Sequence, residues 1–389
     1  MKEKEKDTDY WFTIEPYVFI GLTNKYTLLY NTLDGITIES DKSEIIELVH
    51  EIIKKENYGV ILLTENMYRN NNINAFVKEL RDKFMGDIID VALSKRKPIQ
   101  LLPFINFSDT YKLDIYKMHS FSSDRNILKN LFELNIHLNT TTNVAKLISF
   151  LKSIPISPTF NIIGNIGEVD NYKEILSFFD LNHSVKNILC SYKHLIVLQT
   201  DFINNFTYRI SIDFPIDKNQ WELSNNLLLS QTLPVEYMFE VSSLEDFQQA
   251  EYLVEKFKIE KYRLIPVYNG KNILFFEENV FLTKSDILSK SMSIKDFFSR
   301  QAINLYDFGK INILPNGDAY ANLNHPLLGN IYADSIYEII QKEFDTGKSW
   351  LNIRNQAPCN NCVYQWFCPS PSDFEIMIGR SNLCHVKKE

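Results

Sequence analysis

Four cysteines, Cys359, Cys362, Cys368 and Cys384, crowd the last thirty-one residues of the chain. Cys359 and Cys362 form a C-x2-C pair that can grip one metal or one edge of a cluster, while Cys368 and Cys384 close the site from two further segments. A chain of 389 residues buries an ample apolar core and has no need of covalent staples, so thiols at this density read as ligands rather than disulfides. The fifth cysteine, Cys190, stands in the apolar run Asn187-Ile188-Leu189-Cys190 and reads as a small buried hydrophobe.

Three chemistries are open for the four thiols. A structural zinc site usually uses two tight pairs, and this run has one. Cys368 is followed by Pro369, as the last cysteine of a ferredoxin run often is, and four thiolates suffice for a 4Fe-4S cluster. Unmetallated thiols are the third possibility. Tyr364, Trp366 and Phe367 lie among the cysteines and read as an apolar shell that excludes water, with a contact surface as the alternative. His385 adjoins Cys384, but neighbouring residues rarely reach one metal together, so it is placed outside the ligand set.

Hydrophobic residues make up 45% of the chain and charged residues 23%, with a formal net charge of -8. That balance is of a water-soluble, mildly acidic protein, and no apolar stretch is long enough to cross a bilayer. The start, Met1 to Asp9, lacks the apolar middle of a signal peptide and reads as a solvated tail, which points to the cytoplasm. Clustered Lys and Arg are missing, which argues against nucleic acid as a partner. Only 12 glycines and no phosphate-cradling loop argue against a nucleotide site.

The elements that must position the cysteines fall into three domains and an arm: 1–88, an extended linker at 89–130, 131–300 and 301–389. The first carries β-branched and aromatic runs at 17–22, 26–31 and 36–39, which predict three antiparallel strands. Ser43 is placed as the cap of a helix carrying Ile45, Ile46, Leu48, Val49, Ile52 and Ile53, and a second periodic run carries Ile73, Phe76, Val77, Leu80, Phe84 and Met85. Small sheet plus helices is a winged-helix-like α+β module, a type that is as often an ordinary structural domain. Residues 98–107 read as an apolar arm. The middle alternates strands at 134–139, 160–164, 187–192, 208–214, 235–241 and 262–267 with helices at 144–151, 172–179, 220–229 and 244–257. That α/β rhythm makes an incomplete barrel or an open parallel sheet.

The segments Ile311 to Tyr320, Gly329-Asn330-Ile331, Ser335 to Ile340 and the cysteine run resemble, in order and spacing, the SPASM domain that follows radical S-adenosylmethionine barrels. That resemblance covers 301–389 and implies a partial (β/α)6 radical-SAM-like barrel ahead of it. It implies that Cys359, Cys362, Cys368 and Cys384 ligate one auxiliary cluster. Ligands of the other cluster are lost, with Asn322 and Ser372 in their slots. The barrel departs from the family as well. The C-x3-C-x2-C loop after the first strand is replaced by Leu138-Asn139-Thr140-Thr141-Thr142-Asn143-Val144, whose hydroxyls and amides are poor iron ligands. The Gly-Gly-Glu-Pro run is eroded to Ile163-Gly164-Asn165-Ile166-Gly167-Glu168-Val169. Glu168 is a residual ligand-binding carboxylate or, more simply, a residue suited to a helix start. Cleavage of S-adenosylmethionine is therefore not expected, and the barrel reads as dead for radical chemistry.

Fused ahead of such a barrel, the first module resembles the element that binds leader segments of ribosomally made, modified peptides as an added strand. The edge at Ile36, Thr37, Ile38 and Glu39, flanked by a helix bearing Ile73, Phe76, Val77 and Leu80, is the expected groove. As a whole the chain resembles pseudo-radical-SAM/SPASM proteins of Bacteroidales-type peptide-maturation systems, whose Cys-x5-Cys-Pro-Ser-Pro stretch is echoed in Gln365 to Ser372. The resemblance implies a non-catalytic partner that binds a precursor leader and an active radical maturase, with one 4Fe-4S cluster, or zinc in its place. The alternative is an enzyme acting on a peptide by non-radical chemistry in a remodelled barrel. His137, which shares a strand face with Asn135 and Asn139, is its candidate, though a satisfied barrel histidine explains it as well. His183, His194 and His325 are scattered and take no role.

Overall fold

The computed structural model describes residues 8–94, 96–102, 127–198, 205–230 and 233–386. The two terminal tails and all of the apolar arm beyond residue 102 lie outside the described residues. The first module runs β1 (Tyr10–Ile14), β2 (Val18–Leu22), β3 (Thr27–Asn31), β4 (Thr37–Ser40), α1 (Ser43–Ile52), β5 (Val60–Leu63), α2 (Glu65–Tyr68), α3 (Asn71–Asp82) and β6 (Gly86–Asp90). The three expected strands pair antiparallel as β2-β3-β4. A second three-stranded sheet, β5-β1-β6, was not legible in sequence, because β6 is short and mixes acidic with apolar residues. Ser43 is not the helix cap: Lys42 holds that position, Ser43 is the first helical residue and its hydroxyl turns to Glu44. Asn70 caps α3 through Asn72 and Ile73 backbone N–H groups.

The middle of the chain runs β7 (Glu133–Leu138), α4 (Val144–Lys152), β8 (Thr159–Gly164), α5 (Tyr172–Asp180), β9 (Lys186–Ser191), β10 (Thr207–Ile212), α6 (Lys218–Ser230), β11 (Val235–Val241), α7 (Leu244–Phe257) and β12 (Tyr262–Pro266). After it come α8 (Ile273–Asn279), α9 (Lys284–Leu288), α10 (Ile294–Ala302), β13 (Lys310–Ile313), β14 (Asp318–Tyr320), β15 (Gly329–Asn330), α11 (Ile336–Thr346) and α12 (Asp373–Ile378). The protein is thus mixed α/β around a large, mostly parallel nine-stranded sheet of order β12-β11-β10-β9-β8-β7-β13-β14-β15. The six expected strands are parallel neighbours in chain order. β13 adds parallel to β7, and β14 and β15 add antiparallel, so the last ninety residues extend the central sheet. Among the described residues β12 and β15 each have one strand neighbour, so the sheet formed by them is open.

Period-two alternation in β7 sends Leu134, Ile136 and Leu138 into the core shared with α4 and leaves Asn135 and His137 on the opposite face. On that face Asn312, Asn135, Asn161 and Asn187 stand in register across four adjacent strands. Their amides form a chain: Asn187 donates to Asn161 and Asn161 to Asn135, each at 2.7 Å, and Asn135 donates to Asn312 at 3.0 Å. The next strands carry the ion ladder Arg209–Glu236–Arg263. One cavity reaches this face at Asn135 and Asn312, while Asn161 and Asn187 are buried.

A second core has a different origin. Phe12, Val18, Phe19, Leu28, Tyr30, Ile45 and Val77 of the first module join Ile287, Met292, Phe297, Val363, Tyr364 and Phe367 in one apolar cluster. Phe19 stacks on Phe297 at 3.8 Å between ring centroids, and Phe367 meets Phe297 edge-on at 4.8 Å. The first module is therefore packed directly on the cysteine segment.

Candidate metal centre

The cysteine segment has little regular structure to hold it. Cys359 opens a 3₁₀ turn whose next residue, Cys362, donates its N–H to the Cys359 carbonyl at 3.1 Å. Cys368 donates its backbone N–H to Tyr364 at 3.1 Å. Cys384 arrives from the chain end through an isolated parallel bridge to Leu282, secured by Leu282 N–H to Leu383 and His385 N–H to Leu282. His385 points elsewhere, its Nε2 lying 2.6 Å from the Glu277 carbonyl, in keeping with its place outside the ligand set.

Arg354 sits buried beside the thiols. Its Nη1 reaches Cys359 Sγ at 3.6 Å, its Nη2 donates to Glu375 Oε1 at 2.7 Å and its Nε to the Pro369 carbonyl at 2.8 Å. Asn382 Nδ2 adds a donor 3.4 Å from Cys384 Sγ. Burial pushes the Cys368 thiol up to about 12, partly opposed by the Arg354 charge and reinforced by the other three cysteines. Burial raises Cys362 as well, with Cys359 and Cys384 contributing. The Cys362 and Cys368 thiols thus lie close enough to the other cysteines to feel their charge. Among the described residues no three His, Cys, Asp or Glu side chains converge as ligands of a single metal ion.

Cavities flank the cysteines on both sides. One of about 840 Å³ opens toward the polar sheet face and is lined by Cys359, Cys368 and Cys384 with Asn135, Asn312 and Asp307. The other, about 520 Å³, is lined by Cys359, Cys362 and Cys384 with Tyr26, Lys284 and Tyr364. In the larger cavity Asn322 Nδ2 donates to both Asp307 oxygens at 3.1 Å and to Asp373 Oδ1 at 2.7 Å. Burial raises Asp307 to about 6, with the Asn322 bond opposing and Asp373 adding to the rise. Ser372 does not face the cysteines as a ligand; it forms the capping box of α12 with Glu375.

The loops after β7 and β8 are turns. Asn139 Oδ1 accepts from Thr141 N–H at 2.8 Å, and Asn143 Oδ1 caps α4 through Lys146 N–H at 3.1 Å. Glu168 ends a 3₁₀ turn and pairs with His194 at 3.1 Å. His137 carries an unpartnered Nε2, and burial lowers its pKa, opposed by a hydrogen bond with the Asn312 side chain. Cys190 is buried, as expected.

On the expected peptide edge, β4 begins at Thr37, one residue later than read, and its outer side has no strand partner among the described residues. Asn31 N–H donates to the Ile36 carbonyl, so the bonded pairs alternate and Thr37 and Glu39 turn their backbone groups outward. Ile36 is 41% exposed, whereas Ile38 is core. Lys83, just past α3, donates to the Thr37 carbonyl at 3.1 Å. Ile73, Phe76, Val77 and Leu80 correct the expectation: all four are buried in the module core, because the apolar face that marks them in sequence is the face that seals the sheet. Glu39 is engaged by Tyr26, by Lys284 at 2.6 Å and by Tyr364 at 3.4 Å. Burial disfavours its charge, yet the bonds from Lys284 and Tyr26 hold it below the usual carboxylate range.

Sequence reasoning missed Arg354, Asp307 and Lys284, whose partners carry no motif spacing; only Glu375 left a signal, as the last residue of the S-x-x-E box beginning at Ser372. Tyr364 and Phe367 form a contact surface toward the first module as well as shielding the cysteines. No protein-family model matches the chain. No curated protein matches it either.

Proposed function

We propose that this protein is a non-catalytic partner in the maturation of a ribosomally made peptide. In this reading Cys359, Cys362, Cys368 and Cys384 hold one 4Fe-4S cluster, and the outer edge of β4 takes a precursor leader as an added antiparallel strand. The observation that carries it is the electrostatic influence of the other three cysteines on Cys368, with Arg354 beside Cys359, on a segment that packs against the module owning that edge. A tetrahedral zinc with Zn–S near 2.3 Å draws its sulfurs to within roughly 4 Å of one another. A cluster spaces its four sulfurs further apart, so metal and sulfide content distinguish the two. The cluster would supply structural bracing or a one-electron relay; the chain's own residues supply the thiolates, the Arg354 donor and the apolar packing of Tyr364 and Phe367.

The finer architecture belongs to the same reading: a winged-helix-like recognition module, a degenerate partial (β/α)6 barrel and a SPASM-like end, working in the cytoplasm beside a radical maturase. Asn139 and Asn143 serving turn and cap supports the absence of S-adenosylmethionine cleavage. No helix among the described residues is long and apolar enough to cross a membrane. A second reading, non-radical acid–base chemistry, is favoured by Asp307, which titrates near neutral pH in the 840 Å³ cavity.

The test of leader binding is fluorescence anisotropy with precursor peptides encoded beside the gene, comparing wild type with Thr37→Pro. Proline removes an outward N–H while β4 stays an edge strand that tolerates it. Affinity falling about tenfold or more supports strand addition; equal affinity in both proteins removes the edge from the account.

A further inference from the structure

We infer that occupancy of the four-cysteine site controls whether the edge of β4 is formed, so that metal loading and leader binding are one coupled equilibrium. This rests on the proposed metal centre and peptide edge and names the regulation that links them. Three contacts join the two sites. The β2 backbone at Gly21 lies so close to Val363 that a side chain there would stand 2.4 Å from the Val363 carbonyl oxygen. The rings of Phe19, Tyr30 and Phe297 enclose Phe367, one residue before Cys368. The carboxylate of Glu39, on β4 itself, takes bonds from Tyr364, two residues after Cys362, and from Lys284, two residues after the Leu282 bridge to Cys384.

Cys362 and Cys368 are thus one or two residues from a group that the first module uses as core or latch, and Cys384 is tied to the latch through the Leu282 bridge. Between Trp350 and Asp373 the segment's only helix is one 3₁₀ turn, so its path is set by the ends that the ligands fix and by this packing. A metal centre that binds Cys359, Cys362, Cys368 and Cys384 together selects the path on which Phe367 and Tyr364 meet the module. Without it, the segment loses the restraint that orders those two side chains, and β4 loses its Glu39 latch. Coupling of this kind is reciprocal, so the docked module must in turn hold the metal more tightly.

Amide hydrogen exchange on the full chain, as isolated anaerobically and after iron removal by chelation, reads the first direction without any peptide. Amides of β2 and β4 are expected to exchange at least about fivefold faster in the iron-free protein while β7 to β11 hold their protection. The second direction uses Glu39→Gln and Lys284→Met, neither of which ligates metal: both are expected to release iron to a chelator at least about fivefold faster than wild type. Unchanged exchange in β2 and β4 after iron removal overturns the coupling and leaves the metal centre standing. If iron removal loosens the whole chain, the release rates decide, and rates equal to wild type overturn it. A protein that binds neither iron nor zinc fails the metal-centre reading itself, before the coupling is reached.

Discussion

Gly21 and Val363 are 342 positions apart and touch backbone to backbone: a Cβ on Gly21 would lie 2.4 Å from the Val363 carbonyl oxygen. Val363 follows Cys362, so the first module and the cysteine site share a contact that only glycine permits. Gly21→Ala is expected to cost about 1–3 kcal/mol in denaturant unfolding, the range for overpacking a tight site. The same variant should lose iron faster than wild type in a chelator assay. Wild-type stability in the variant would mean that the module does not dock as described.

Arg354 and Glu375 form an ion pair with both side chains nearly buried, at 2.7 Å. Burial works against the Arg354 charge, but Glu375 and Cys359 outweigh it and raise its pKa. Arg354→Met leaves Glu375 without its partner and is expected to cost roughly 3–5 kcal/mol, measured by chemical denaturation. The double variant Arg354→Met with Glu375→Leu should recover most of that loss, because the uncompensated charge is gone.

Asp307 titrates near pH 6 because burial disfavours its charge. A carboxyl raised on folding binds more protons in the folded state, so its contribution is full below the unfolded value near 3.8 and is lost as pH rises through 6. Relative to Asp307→Asn, wild type should therefore lose up to about 3 kcal/mol of stability between pH 4 and 6, at about 1.4 kcal/mol per pKa unit. Above that window the difference should be flat. Urea midpoints of both proteins across this range measure it, and parallel curves would contradict the burial of Asp307.

The βα rhythm was legible almost residue by residue: β11 and α7 coincide with the expected spans, and the other three helices and five strands of the central run shift by two positions at most at either end. Those elements announce themselves because their periods and their β-branched content are local. The β5-β1-β6 sheet was not legible, since β1 pairs with strands about fifty and eighty residues away and nothing local selects that pairing. At the candidate site, the cysteines were visible from spacing alone. The Arg354 bond to Cys359, the Glu39 latch and the raised Asp307 were not, because each depends on burial and on partners that only the fold brings together. The helix face at Ile73, Phe76, Val77 and Leu80 was legible as apolar, but periodicity marks a face that is buried and does not say what buries it.

The most direct measurement is iron, sulfide and zinc content of anaerobically purified protein, with electron paramagnetic resonance of the reduced form, for wild type, Cys359→Ala and Cys368→Ala. The account predicts about four irons with matching sulfide per chain in wild type and their loss in both variants. One zinc per chain without iron would contradict the cluster and leave the cysteine segment a structural clamp.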